Sequence, residues 1–451
     1  MSEFESVINS RYKAPILSKI WSINNKIKTM RQLWIDLASI QKKLGIDYIS
    51  EESIKELQEK RDEINFERIN YFEDKFKHDI FAHIHAYSEL CPNGSKILHL
   101  GATSNFINDN VDSILVKKSF LFIKKEIEIF IKLLQFSAEG YSSVPTIAYT
   151  HLQPAQLITI GKRFSMWKQD VLLDYNKFKS LIVPFRGIKG TVGTEDTLLK
   201  LFNGDVTKCD ELNSELVKLY NFEHKITVCG QTYSRKYDVE YIHLLSSICQ
   251  SIYKIMSDLR LLSSKKEVYE EFTENQVGSS AMPYKKNPIN CEKICSLCRY
   301  VINQEQNANQ TYINQWLERS LDDSAIKRIM FPECFLIVEY ILNESIKVVK
   351  NLHFNLEYIN KRVNKHMTNI ISEEIIINGV KKGFNRQDIH ERLRKILTSN
   401  NCSLENLHND DIISEIIGNN ISFNPLNYIG RSIEQSFECN TQYLTIQDLY
   451  I

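Results

Sequence analysis

Residues 278–288 read GSSAMPYKKNP. A glycine precedes two hydroxyls, Ser279 and Ser280, and two lysines and Asn287 follow, with prolines at 283 and 288. A serine hydroxyl acts as a base only where nearby positive charge favours its alkoxide. Lysine and asparagine are residue types that hold a carboxylate. The same residues are also ordinary turn formers, so by themselves they leave open a plain connection between helices or a lid with fixed ends that excludes water. Cys291, Cys295 and Cys298 share one face at helical spacing. They lack a second CxxC or an HxxxH partner, so core packing is expected in place of a zinc site. RGIKGTVGT (186–194) has three glycines but not the GxxxxGK[ST] order of a phosphate loop. It reads as a turn that helps shape a site, not as an ATP site.

These residues need long elements to position them. Among 451 residues there are only 15 glycines and 9 prolines, roughly half the usual share. Both break helices, so their scarcity predicts long helices and few turns. Four stretches contain neither: Ala102–Glu139, Gln231–Val277, Ile289–Phe331 and Glu333–Asn378. In the second, Ile242, Leu245, Ile248, Ile252, Ile255, Leu259 and Leu262 recur at steps of three or four, one helix face. In the first, Phe120, Leu121, Phe122 and Ile123, then Ile129, Phe130 and Ile131, cover every face. A helix apolar all round must be covered all round, which predicts a homo-oligomer with a shared helical core. The expected architecture is all-α with three domains: 1–103, a central bundle over 104–354, and 355–451. The charge runs KKE and SKKEVYEEF are expected to be solvated helix faces.

Composition excludes several classes. Hydrophobic residues are 43% and charged ones 25%, as in a globular protein with a sizeable core. Formal net charge is zero, so no general nucleic-acid or membrane surface is implied. No apolar run reaches the ~18–20 residues that span a bilayer. The start, MSEFESVINSRYK, has acidic residues and no apolar core, so no secretory signal is expected. The ten cysteines then read as reduced thiols of a cytoplasmic protein.

GSSAMPYKKNP resembles the signature loop of the fumarase/aspartase superfamily, GSSxMPxKxNP, at every fixed position. SRYKAP (10–15), KHDIFAHIH (77–85), LGATSNFINDN (100–110), THLQPAQ (150–156), GQTYSRK (230–236), QWLERSLDDSAIKR (315–328) and NRQDIHE (385–391) resemble the adenylosuccinate lyase family. The similarity runs from about Arg11 to about Gln435 and is closest to the branch that includes the animal enzymes. It implies cleavage of a C–N bond with release of fumarate, without metal or organic cofactor.

The resemblance also implies roles. Ser279 is the base that removes the proton beside a carboxylate. Lys285, Asn287 and Ser280 hold the charge that develops. His151 is the acid for the leaving nitrogen, oriented by Glu292, with His78 as a competing acid or substrate-binding residue. His151 is expected in THLQPAQ before a helical stretch. Arg11, Tyr12, Arg319, Ser324 and Arg328 bind the nucleotide phosphate; Thr103 and Ser104 bind the succinyl carboxylates; Gln231 hydrogen-bonds the substrate. Lys77, beside Asp79, and Lys293 stand where animal enzymes have arginine, which keeps the charge but loses the bidentate fork. Active sites in the superfamily are built from three subunits of a homotetramer. Two alternatives remain. Argininosuccinate lyase acts on a substrate without phosphate and would not need Arg11, Tyr12, Arg319 and Arg328 together. An inactive helical scaffold would be expected to have lost one of Ser279, Lys285, Asn287, His151 or Glu292.

Overall fold

The computed structural model describes residues 6–398, 403–418 and 421–438, so the end of the expected third region lies outside the described residues. The chain is predominantly α-helical, with a large helix bundle and, among the described residues, two small two-stranded antiparallel sheets. Its longest helices are Ser104–Gly140, Lys236–Ser264, Ile289–Ile313 and Asp322–Lys350. Ser104–Gly140 has 37 residues, about 56 Å at 1.5 Å per residue. The apolar row from Ile242 to Leu262 is buried along its whole length. Asp322–Lys350 runs through Pro332, whose missing N–H leaves the carbonyl one turn earlier, at Arg328, without its usual helical partner.

The residues group into two compact units. The first comprises Met1–Glu126, Lys177–Gln250 and Ser296–Asn343. Its core packs Leu33, Trp34 and Leu37 of the helix Ile23–Lys43 with Tyr87, Phe106, Val111, Phe185 and Leu212. Ser22 starts that helix by accepting the Asn25 N–H, satisfying one of the free amides of its first turn. The Glu339 carboxylate is fully buried and accepts the Ile16 and Leu17 N–H groups at 3.0 and 2.7 Å, which fixes the segment following Arg11 and Tyr12.

The second unit comprises Ile127–Asn176, Ser251–Cys295 and Glu344–Ile451. It contains a β-hairpin, Pro145–Thr150 with Gln153–Thr159, and the small C-terminal helices. Gly379 lets those helices pack closely: a Cβ there would lie 2.4 Å from Ile389. Cys291 and Cys295 of this unit, and Cys298 of the first, are all buried, and none is in a disulfide.

One expectation is corrected. SKKEVYEEF is not a solvated helix face. The helix ends at Ser264, Lys266 takes φ 63°, and a short strand, Val268–Tyr269, follows. Glu267 within that run is only 2% exposed. A charge pattern does not distinguish a solvated carboxylate from one buried against a cation.

Candidate active site

GSSAMPYKKNP forms a loop between the strand Val268–Tyr269 and the helix Ile289–Ile313. Its two feet are stapled by Glu270, whose carboxylate accepts the Asn290 and Cys291 N–H groups at 3.1 and 2.7 Å. At the tip, Ser279 Oγ accepts the backbone N–H groups of Ala281 and Met282, at 3.3 and 3.1 Å. Two amide dipoles aimed at one oxygen favour negative charge on it. Gly278 is required: a Cβ there would stand 2.0 Å from the Lys285 carbonyl. Asn287 spends one N–H on the Gly278 carbonyl at 3.0 Å, which shapes the loop and leaves its second N–H as a donor. Ser280 and Lys285 are exposed.

His151 lies at the tip of the hairpin, ahead of a helix but separated from it by a strand. The helix begins only at Ile160, after the second strand. His151 and Leu152 both take left-handed backbone, φ 50° and 61°, as a two-residue hairpin turn demands. Each such non-glycine residue costs on the order of 1 kcal/mol or more, and such strain clusters at functional sites. Glu292 sits exposed in the first turn of the helix Ile289–Ile313. Among the described residues of one chain, no hydrogen bond joins it to His151. Lys293 donates to Asn290 at 3.0 Å and pairs with Glu344 at 3.4 Å.

The remaining candidates belong to the first unit. His78 caps the helix Asp79–Ser88, its Nδ1 accepting the Phe81 N–H at 3.3 Å. That bond leaves the proton of the neutral ring on Nε2, available as a donor. Asp79 accepts from the Ile80 N–H and pairs with Arg328. Burial pushes its carboxyl up, but the Arg328 charge and hydrogen bond, the Ile80 N–H and His78 together hold it below the usual range. Lys77 takes left-handed backbone and pairs with Asp74 at 3.3 Å on the surface.

Arg319, Ser324 and Arg328 line one cavity of about 270 Å³. Arg319 lies in the turn before the helix, which starts at Asp322, while Ser324 and Arg328 are one turn apart within it. The lining holds five cations, Lys26, Arg235, Arg319, Lys327 and Arg328, against three carboxylates, Asp109, Asp112 and Asp323. Asp79 pairs with Arg328, and Asp238 lies 3.5 Å from Lys327, so most of these cations are paired within the site. Thr103 precedes the helix that Ser104 begins, and its Oγ1 is buried without a partner among the described residues. Gln231 is engaged at both ends of its amide, accepting from Asn105 and donating to the Thr191 carbonyl, each at 3.1 Å. Arg11 is exposed, and Tyr12 packs edge-on against Tyr340. Neither lines the cavity.

The floor of the cavity was not assigned from sequence. Arg235 donates to Asp323 at 2.6 Å and to Asp109 at 3.0 Å. Lys327 reaches Asp112 at 3.2 Å and the Tyr233 hydroxyl at 3.0 Å, and Tyr233 donates to Asp238 at 2.6 Å. Burial would raise the Asp109 pKa, but the surrounding cations, Arg235 foremost, hold it low. Asp238 is raised, because burial outweighs Lys327 and Arg235 there. These residues lie inside the runs GQTYSRK, LGATSNFINDN and QWLERSLDDSAIKR, or just beyond them. The signal was their charge, and only the fold shows that it is buried.

Residues 18–303 match the family model described as Lyase. The adenylosuccinate lyase of Saccharomyces cerevisiae is 38% identical over 397 residues, covering 87% of this chain and 82% of that protein. The adenylosuccinate lyase of Schistosoma mansoni is 41% identical over 402 residues, covering 88% and 84%. A crystal structure of a fumarate lyase from Mesorhizobium superposes with a TM-score of 0.81 at 20% identity, over 94% of this chain and 97% of the other, a likeness of fold. With this identity over most of both chains and the signature loop intact, the chain belongs to the adenylosuccinate lyase family.

Proposed function

We propose that the chain cleaves adenylosuccinate to AMP and fumarate, and succinyl-aminoimidazole-carboxamide ribotide to the aminoimidazole-carboxamide ribotide and fumarate, in purine nucleotide biosynthesis in the cytoplasm. The observation that carries the reading is the Ser279 hydroxyl held by two loop amides within an intact GSSAMPYKKNP loop, in a chain of this family.

The reaction is a β-elimination. Ser279 takes the proton from the carbon beside a succinyl carboxylate. The electron pair left behind spreads into that carboxylate as an aci-carboxylate, which Lys285, Asn287 and Ser280 hold. The pair then forms the C=C bond of fumarate as the C–N bond breaks and its electrons pass to nitrogen. His151 gives that nitrogen a proton, oriented by Glu292. His78 binds substrate through Nε2–H and joins the proton network. Arg11, Tyr12, Arg319, Ser324 and Arg328 take the phosphate, Thr103 and Ser104 the succinyl carboxylates, with Gln231, Lys77, Asp79 and Lys293 around the rest of the substrate. Acid–base groups of this kind each contribute about 10²–10⁴ in rate, and preorganised donors at the developing charge contribute further.

The enzyme is a homotetramer of three-domain chains, with each site shared between copies. Two observations support this. The His151 and Glu292 side chains are exposed and unconnected within one chain. Leu121, Ile129 and Phe136, along one side of the helix Ser104–Gly140, are 54%, 47% and 75% exposed there. A large apolar row of that kind calls for a cover.

The test is fumarate release from purified protein given adenylosuccinate and, separately, argininosuccinate. Release from adenylosuccinate alone is expected. Release from argininosuccinate alone would keep the loop chemistry and overturn the phosphate assignments. Release from neither by a folded protein would leave the scaffold reading.

A further inference from the structure

Tyr149 stands two residues before His151 on the first strand of the hairpin. Its hydroxyl donates to Glu267 Oε1, and Arg362 pairs with the same oxygen at 2.7 Å. Glu267 is 2% exposed, and its other oxygen is buried without a partner among the described residues. Burial and the neighbouring Glu267 charge raise the Tyr149 pKa, so the phenol stays protonated and remains a donor. Glu267 is itself fixed through the main chain: its N–H donates to the Leu262 carbonyl at 3.1 Å, and its carbonyl accepts the Asn355 N–H at 3.0 Å. Arg163, whose charge also acts on Glu267 and Tyr149, donates to the Ile147 carbonyl at 2.9 Å, beside the irregularity between Ile147 and Tyr149. Such a bulge re-aims the residues that follow it.

A buried carboxylate with one oxygen unsatisfied is a poor stabiliser, since apolar packing of the same volume does as well or better. What this cluster supplies is direction. The hairpin tip has left-handed backbone at His151 and Leu152, and the His151 ring has no partner among the described residues to hold it. The aim of the imidazole therefore depends on where the strand before it is tied.

We infer that Glu267 is a positioning residue for His151, acting through Tyr149 with Arg362 as its counter-ion. The inference rests on His151 being the acid of the proposed reaction. Three residues beyond Glu267, Glu270 staples the feet of the signature loop, so one short segment, 267–270, anchors both the His151 hairpin and the Ser279 loop.

The experiment measures fumarate release from adenylosuccinate by Tyr149→Phe, Glu267→Gln and His151→Gln, alone and paired. Tyr149→Phe and Glu267→Gln should each lower kcat about tenfold or more, with KM within about twofold. Combined with His151→Gln, neither should add a further loss, because both act through that ring. Losses that multiply in the paired variants would overturn the inference, as a general loosening of the fold does not pass through His151. Should Glu267→Gln fail to fold, Tyr149→Phe, which removes one oxygen, carries the same test. Unchanged turnover in His151→Gln would overturn the acid assignment and this inference with it. Loss in His151→Gln beside normal turnover in Tyr149→Phe would overturn this inference alone.

Discussion

His99 accepts a hydrogen bond on Nδ1 from the Trp34 indole, 2.8 Å away, within the core of the first unit. Burial, helped by the charge of His78, pushes its pKa down to about 4. The folded state therefore binds fewer protons than the unfolded one between about pH 4 and the ordinary histidine value near 6.5. Stability from this group is present above that window and is lost as pH falls through it, by roughly 3 kcal/mol at most. His99→Asn, which tolerates the left-handed backbone found there, should flatten the dependence of urea unfolding on pH between about 6.5 and 4. An unchanged slope would contradict the burial argument. Such a residue was not legible in advance: nothing in LHLGATS says that its histidine is desolvated. Arg235, Asp323 and Lys327 hid in the same way, as charges with no mark of burial. Ser279, Lys285 and Asn287 stood out because they lie in one continuous run that resembles the superfamily's signature loop.

Elements divide by how strongly their pattern repeats. Scarce glycine and a steady three-to-four spacing made the helix Lys236–Ser264 readable from sequence. The Pro145–Thr159 hairpin was missed because its alternation is weak and its tip, Thr150–Gln153, carries no glycine or asparagine to announce the turn. The signature loop was recognised as a loop, but its closure by Glu270 depends on contacts some twenty positions apart in sequence. Gly278 belongs to this scale. With a Cβ 2.0 Å from the Lys285 carbonyl, Gly278→Ala must reshape the tip that holds Ser279. The loop is largely exposed, so the melting temperature should stay within a few degrees while kcat falls about tenfold or more. Normal turnover in Gly278→Ala would show that the tip geometry is not what activates the serine.

At the scale of the whole molecule, the sequence foretold a helical bundle. It did not foretell how the candidate residues would fall. His78, Arg319, Ser324 and Arg328 belong to the first unit, and His151, Ser279, Lys285, Asn287 and Glu292 to the second. Which residues meet in an assembly depends on interfaces that local patterns do not encode. The assembled site is therefore the claim most worth testing, and hybrids of the proposed tetramer test it directly. Fumarate release from adenylosuccinate should fall by about 10²–10⁴ in both Ser279→Ala and His151→Gln. If each site takes its serine and its histidine from different copies, unfolding and refolding the two variants together in equal amounts should restore about a quarter of normal activity. Near-normal release by either variant alone, or a refolded tetrameric mixture as inactive as its parents, would contradict the account.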